Sequence, residues 1–174
     1  MGTSTRTMGI SVTDVDTEAK LPLGFEYHEP ADTTNGYGER VWVYVFNDEA
    51  ANPFAVGHCV YRDPSVTTED FWGGLITPAT IHQARLMVIG IAQHAIAAGS
   101  YGFILKRGIG FAKCGSAAVA ADSPFTTGGD DAGTVLLYAD DAATLSANIG
   151  VIGHTATILV ADAATVACFI SCGL

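Results

Sequence analysis

The amino-acid sequence predicts an all-β fold, a compact β-sandwich or barrel with an extended N-terminal arm. Short segments rich in Val, Ile and aromatic residues recur between clusters of turn-forming residues, as is typical of such folds. The composition agrees, because only 15% of the residues are charged and 20 are glycine, which suits close-packed sheets and tight turns. The 174 residues fit one domain, which we place at residues 21–174.

The first 20 residues differ from the rest of the chain. They are polar, with Thr, Ser and Asp prominent, and they show no hydrophobic periodicity. Terminal segments of this kind are ordered only when something holds them down. The sequence therefore predicts a flexible arm over residues 1–20 that becomes ordered when it binds a partner.

The clearest predicted element is a strand over Arg40–Asn47. Val41, Val43 and Val45 alternate with three aromatic residues, so that within residues 41–46 one face is β-branched and the other is aromatic. Strict alternation is a strand pattern, and two apolar faces indicate a strand that is buried on both sides. A break follows, and a second strand is predicted over Ala55–Tyr61.

Residues 79–98 permit two interpretations. Thr77-Pro78 resembles a helix start and Gly99 a helix stop. However, Val88-Ile-Gly-Ile91 is a poor helix interior, because it combines β-branched residues with a central glycine. The turn at residues 97–100 favours a hairpin that pairs Met87–Ile96 with Tyr101–Arg107.

Several short elements are predicted in the C-terminal third, separated by turn signals. They are strands at Val135–Tyr138, Ile149–His154, Ala156–Val160 and Thr165–Ser171, with one possible helical turn at Ala142–Asn148.

Charge and hydropathy exclude two classes of partner. The chain has 8 basic and 18 acidic residues and none of the basic clusters that neutralise a phosphate backbone, so nucleic-acid binding is not expected. The one adjacent basic pair, Lys106-Arg107, is interpreted as a turn or strand-end pair. No apolar run reaches the length of a membrane span, and the N-terminus lacks a signal sequence. We therefore expect no membrane partner and synthesis in a reducing cytoplasm.

No motif points to catalysis. The five histidines are scattered, and Cys59, Cys114, Cys168 and Cys172 lack the spacing of a metal site or a disulfide framework. The thiols are expected to be free and buried. The glycine-rich segment Gly108–Gly115 does not have the spacing of a nucleotide-binding loop. The sequence thus predicts a protein that is not an enzyme, with no cofactor, metal or catalytic residue.

One segment resembles a known family. The run Val88-Ile-Gly-Ile-Ala-Gln-His-Ala-Ile-Ala-Ala-Gly-Ser-Tyr-Gly-Phe-Ile-Leu-Lys-Arg-Gly108 is similar to the signature of small capsid decoration, or cement, proteins of tailed bacteriophages. The resemblance extends loosely over residues 21–174, although Phe103 replaces the usual Trp and His154 follows Ile152-Gly where Ala is usual. It implies a virion protein on the outer surface of the phage head that stabilises contacts between major capsid protein subunits.

The sequence leaves three alternative functions open. They are a head fibre base, a carbohydrate-binding β-domain with an exposed aromatic platform, and, least favoured, an enzyme with a convergent polar pocket. Proteins on a capsid lattice commonly follow its local symmetry, so a homotrimer or homodimer is expected. The candidate interface residues are the aromatic pair Phe71-Trp72, in a loop rich in Pro and Gly, and Arg6, Met8 and Ile10 of the arm.

Overall fold

The computed structural model describes residues 6–7, 9–31, 38–63, 72–76, 87–115, 121–127, 132–137, 151–156 and 165–172. This part of the chain is all-β and contains no helix, which confirms the predicted fold class. Its strands are β1 (Arg6–Thr7), β2 (Ile10–Ser11), β3 (Val15–Asp16), β4 (Glu26–Glu29), β5 (Arg40–Asn47), β6 (Cys59–Arg62), β7 (Gly73–Leu75), β8 (Val88–Ile91), β9 (Tyr101–Lys113), β10 (Pro124–Thr127), β11 (Val135–Leu137), β12 (Gly153–Thr155) and β13 (Thr165–Ser171).

Five strands close into a barrel, in the order β5, β7, β6, β8 and β9, with β9 pairing back to β5. The β5–β7 pair is parallel, whereas the other four pairs are antiparallel. The remaining strands of this sheet are bonded to the outside of the ring. Strand β4 extends it beyond β5, β3 pairs with β9, and β13, β12, β10 and β11 continue the sheet from β9.

The long strand β9 joins the barrel to its extension. Its first half pairs with β5, as in Phe103 opposite Tyr44. Its second half pairs with all seven residues of β13, from Arg107 opposite Ser171 to Lys113 opposite Thr165. Strand β9 therefore belongs both to the barrel and to the strands that are bonded outside it.

Alternate side chains of the barrel strands belong to two different hydrophobic cores. The barrel core includes Val43, Val45, Val60, Ile89 and Ile104, which come from four strands of the ring. The outer core gathers the opposite faces of those strands, together with side chains from β13 and from the N-terminal segment. Because it contains residues from outside the ring, the outer core lies on the outer surface of the barrel.

Strand β5 confirms the prediction that both of its faces are buried. Trp42 and Tyr44 belong to the outer core and Val43 and Val45 to the barrel core, all at most 3% exposed. Apolar burial on both sides of this strand stabilises the fold, since each fully buried large side chain contributes about 1.5–3 kcal/mol.

Other predicted elements agree in part. Thr165–Ser171 is a strand with the predicted bounds, and β8 pairs antiparallel with β9, with Ile91 opposite Leu105. The hairpin interpretation is therefore confirmed for residues 88–91. Strand β6 begins at Cys59, later than predicted. The helical turn predicted at Ala142–Asn148 lies outside the described residues.

The prediction of a free N-terminal arm is corrected for the described part of residues 1–20. Strand β3 pairs with β9, with Val15 opposite Gly102. Ile10 and Val12 are buried in the outer core. The buried carboxylate of Asp16 accepts a hydrogen bond of 3.2 Å from the Tyr44 hydroxyl and forms an ion pair with Lys20. Ile10, Val12 and Asp16 thus contact parts of the fold that are distant in sequence, and residues 10–16 pack against the domain.

The described residues contain no helix that is long and apolar enough to cross a membrane.

Candidate functional site

An apolar patch is exposed on strands β9 and β13, on the face opposite to the one that the outer core covers. Phe111 is 40% and Phe169 is 50% exposed. Phe111 is opposite Ala167, and Phe169 is opposite Ile109, so the two aromatic residues are diagonal neighbours on one sheet face. We call these four residues the apolar patch. It combines two large aromatic rings with two half-buried aliphatic side chains.

The patch arises from the two-sided apolar pattern of its strands. In β13, Cys168 and Ile170 alternate with the patch residues and point into the outer core. In β9, Ala112 does the same. The outer core thus covers one face of these strands, whereas the other face exposes apolar side chains to solvent. An exposed cluster of this kind marks an interaction surface more often than an isolated apolar residue does.

The backbone beneath the patch is held on both sides. On one side, β9 pairs with β13. On the other, the Gln93 side chain replaces a neighbouring strand, because its amide nitrogen donates to the Phe111 carbonyl (3.0 Å) and its amide oxygen accepts from the Phe111 N–H (2.8 Å). The same amide also donates to the Ile91 carbonyl at 3.2 Å. A backbone that is fixed before binding loses little conformational entropy when a partner docks.

A polar group adjoins the patch. His154 of β12 is opposite Phe169 in the ladder and is exposed, with its Nδ1 atom 3.6 Å from Asp122 Oδ1. An apolar centre beside polar groups is the usual arrangement of a protein interface. The geometry therefore favours a docking surface for a folded protein.

Three of the predicted interface residues, Arg6, Ile10 and Trp72, lie in the described part of the chain, and none of them belongs to the apolar patch. Trp72 is half-buried and packs against the barrel core, and the Arg62 guanidinium lies 4.6 Å from its ring centroid. Ile10 is only 8% exposed, so little of it is accessible to a partner. Arg6 lies in β1. Phe71 and Met8 lie outside the described residues, so their interface role stays a prediction.

Sequence reasoning missed Phe111 and Phe169. Both lie on strands in which apolar residues occupy both faces, and this pattern was available in the sequence. Phe111 was not identified because the predicted strand ends at Arg107, whereas β9 continues to Lys113. For Phe169 the strand was predicted, but the exposed face depends on which side the core covers.

The four cysteines are free and buried, as predicted. Burial raises the pKa of Cys59 and of Cys168 to about 12, so these thiols are neutral and unreactive near neutral pH. Within the described ranges, no three His, Cys, Asp or Glu side chains lie close enough together to hold a metal ion.

Two histidines are also affected by burial. It lowers the pKa of His58 and of His94. The Nδ1 atom of His58 accepts a hydrogen bond of 3.1 Å from the Ala55 N–H, which requires that nitrogen to be unprotonated.

Comparisons of this chain with protein-family models, with curated protein sequences and with solved structures gave no significant match.

Proposed function

We propose that this protein is a structural component of a phage virion, a decoration protein that binds the outside of the head and stabilises contacts between major capsid protein subunits. The observation that carries the proposal is the apolar patch of Ile109, Phe111, Ala167 and Phe169, a fixed and exposed apolar sheet face. The resemblance of residues 88–108 to decoration proteins supplies the identity of the partner.

The size of the patch fits a repeated, individually weak contact. Burying the exposed half of a phenylalanine side chain contributes about 1–2 kcal/mol at roughly 25 cal/mol per Å². The two rings together supply about 2–4 kcal/mol, which is too little for one tight binding site. A shell presents many identical sites, and an oligomer that engages several of them at once gains avidity without any new type of contact.

The charge of the chain limits the partner surface. With a formal net charge of −10, the protein is repelled by a strongly acidic shell and attracted by a neutral or basic one. Apolar contact at the patch and long-range electrostatic attraction outside the patch would then both favour binding to the shell. The proposed partner is accordingly a capsid face that is apolar at its centre and not acidic at its rim.

The proposal is tested by binding to purified heads that lack this protein. The double variant Phe111→Ser, Phe169→Ser should bind at least about tenfold more weakly, since it loses the apolar contribution estimated above. Sedimentation of heads with labelled protein measures the bound fraction.

The control is Val56→Ser, because Val56 is also 40% exposed but lies in the turn before β6. Circular dichroism of each variant verifies that it is folded. If the unmodified protein does not sediment with heads, the decoration function is wrong. If the double variant binds as tightly as Val56→Ser, the patch is not the docking surface.

A further inference from the structure

A cleft of about 330 Å³ lies across four neighbouring strands, β4, β5, β9 and β13. One row of paired residues crosses it, from His28 to Val41, Arg107 and Ser171. The complete lining is Glu26, His28, Val41, Lys106, Arg107, Ser171 and Cys172. Val41 is on the same face of β5 as the barrel-core residue Val43, so the cleft continues the inner face of the barrel.

A β-bulge brings the chain's one adjacent basic pair into this cleft. Val41 is opposite Arg107, whereas the next residue, Trp42, is opposite Leu105. Lys106 is therefore the extra residue of β9, and two residues of β9 oppose one of β5. A bulge redirects side chains in this way and is common beside functional sites. Both Lys106 and Arg107 line the cleft.

The cleft has more hydrogen-bond donors than its own acceptors use. Lys106 Nζ lies 2.6 Å from Glu26 Oε1, and an Arg107 Nη2 atom lies 3.6 Å from Glu39 Oε1. His28 Nδ1 is 3.2 Å from the same Glu39 oxygen. An ammonium group has three N–H donors and a guanidinium five, and Ser171 adds a hydroxyl. Two carboxylates cannot use all of these donors in one geometry.

We infer that this cleft binds a small molecule through a carboxylate or phosphate group. The guanidinium of Arg107 suits two oxygens of such a group at once, with Lys106 and Ser171 as further donors and Val41, only 4% exposed, as an apolar floor. The volume is at the lower end of the range of small-molecule sites, about 300–1,000 Å³. The inference does not depend on the proposed capsid function, because the cleft and the apolar patch are formed by different residues.

The test is a titration of the full chain with inorganic phosphate and with citrate, followed by NMR shifts of backbone amides at low ionic strength. Binding should be saturable, with the largest shifts in β4, β9 and β13. Phosphate and citrate separate the two possible anionic groups, and glycerol serves as the uncharged probe. Arg107→Gln should bind about tenfold more weakly or worse, as expected for the loss of a charged hydrogen-bond donor. Because the Arg107 side chain is 54% exposed, this variant should fold.

Two further variants make the result specific. Lys113→Gln removes the same charge from the same strand outside the cleft, and it should change the affinity less than twofold. Glu39→Gln releases Arg107 from its carboxylate and should strengthen anion binding. The inference is overturned if neither anion binds saturably, if Lys113→Gln and Arg107→Gln weaken binding equally, or if Glu39→Gln weakens it.

Discussion

An ion pair between the last residue of β4 and the first residue of β5 tests how much a largely buried charge pair stabilises the fold. Glu29 accepts hydrogen bonds from Arg40 Nε (2.7 Å) and Arg40 Nη2 (3.0 Å), and from the Trp42 indole N–H (2.8 Å). The Glu29 side chain is 7% exposed and that of Arg40 is 19% exposed. The Arg40 guanidinium also lies 5.2 Å from the Trp42 ring centroid. One carboxylate therefore satisfies three donors from two side chains.

The substitution Glu29→Ala should be strongly destabilising. Removing one member of a buried ion pair typically costs about 3–5 kcal/mol, because the remaining charge is left without compensation. Here the guanidinium can regain some water through its exposed fraction, whereas the buried Trp42 N–H cannot. We therefore expect a loss of about 3 kcal/mol in the free energy of unfolding, which corresponds to a fall in Tm of about 6–12 °C.

Urea unfolding followed by circular dichroism measures this loss, and a double-mutant cycle assigns its cause. In an Arg40→Met background, Glu29→Ala should cost at least about 1 kcal/mol less than in the natural chain, since no charge is left behind. Glu39→Ala is the control, because its ion pair is 54% exposed on both sides and should contribute less than about 1 kcal/mol. Additive single and double variants would refute the reasoning, and so would a cost for Glu29→Ala no larger than the control's.

Three further outcomes follow from the same structure. Gly74→Ala should destabilise the barrel by about 1–3 kcal/mol in chemical denaturation, since the added Cβ would lie 2.5 Å from Val60 Cγ1; an unchanged midpoint would show that the barrel core has room. Cys59 and Cys168 should resist alkylation in the folded protein near pH 8 and react after unfolding, as measured by mass spectrometry of their peptides, because burial raises their pKa to about 12; rapid native labelling would contradict their burial. Stability should fall as the pH drops below about 6.5, because the unfolded chain then protonates His58 and His94 before the folded chain, in which burial lowers their pKa. Urea midpoints at several pH values should show this slope and should lose part of it in a His58→Gln, His94→Gln variant, whereas an unaltered slope would rule these histidines out.

Local pattern was sufficient to predict some strands and not others. Arg40–Asn47 was predicted correctly because its alternation occupies both faces over eight residues, which leaves no competing helical interpretation. Strand β9 was predicted to end at Arg107 but continues to Lys113. Glycines 108 and 110 resemble a loop locally, and the strand persists there because β13 supplies a full ladder. Pairing between segments so distant in sequence is a tertiary effect that propensity cannot reveal.

The N-terminal segment also shows that local sequence patterns cannot reveal tertiary contacts. Its few apolar residues give no periodicity, so the prediction of a free arm followed from the local sequence. Burial of Ile10 and Val12 and the Asp16–Tyr44 hydrogen bond depend on surfaces that exist only once the barrel has closed. The candidate sites share this dependence, since the face of Phe169 and the cleft around Arg107 are each defined by a neighbouring strand.

Strand β9 contributes residues to both the apolar patch and the cleft. Its bulge at Lys106–Arg107 builds the cleft, and Phe111, four residues beyond Arg107, belongs to the apolar patch. Between them, Gly108 has a φ of +118°, and a Cβ there would lie 2.9 Å from the Glu39 carbonyl oxygen. This backbone conformation is open to glycine and strained for other residues, so the bulge and the direction of the second half of β9 depend on one residue. A shift of β9 at Gly108 would therefore alter both the cleft donors and the register that places Phe111 opposite Ala167. The cleft and the apolar patch are formed by different residues, but both depend on the backbone conformation of β9 at Gly108.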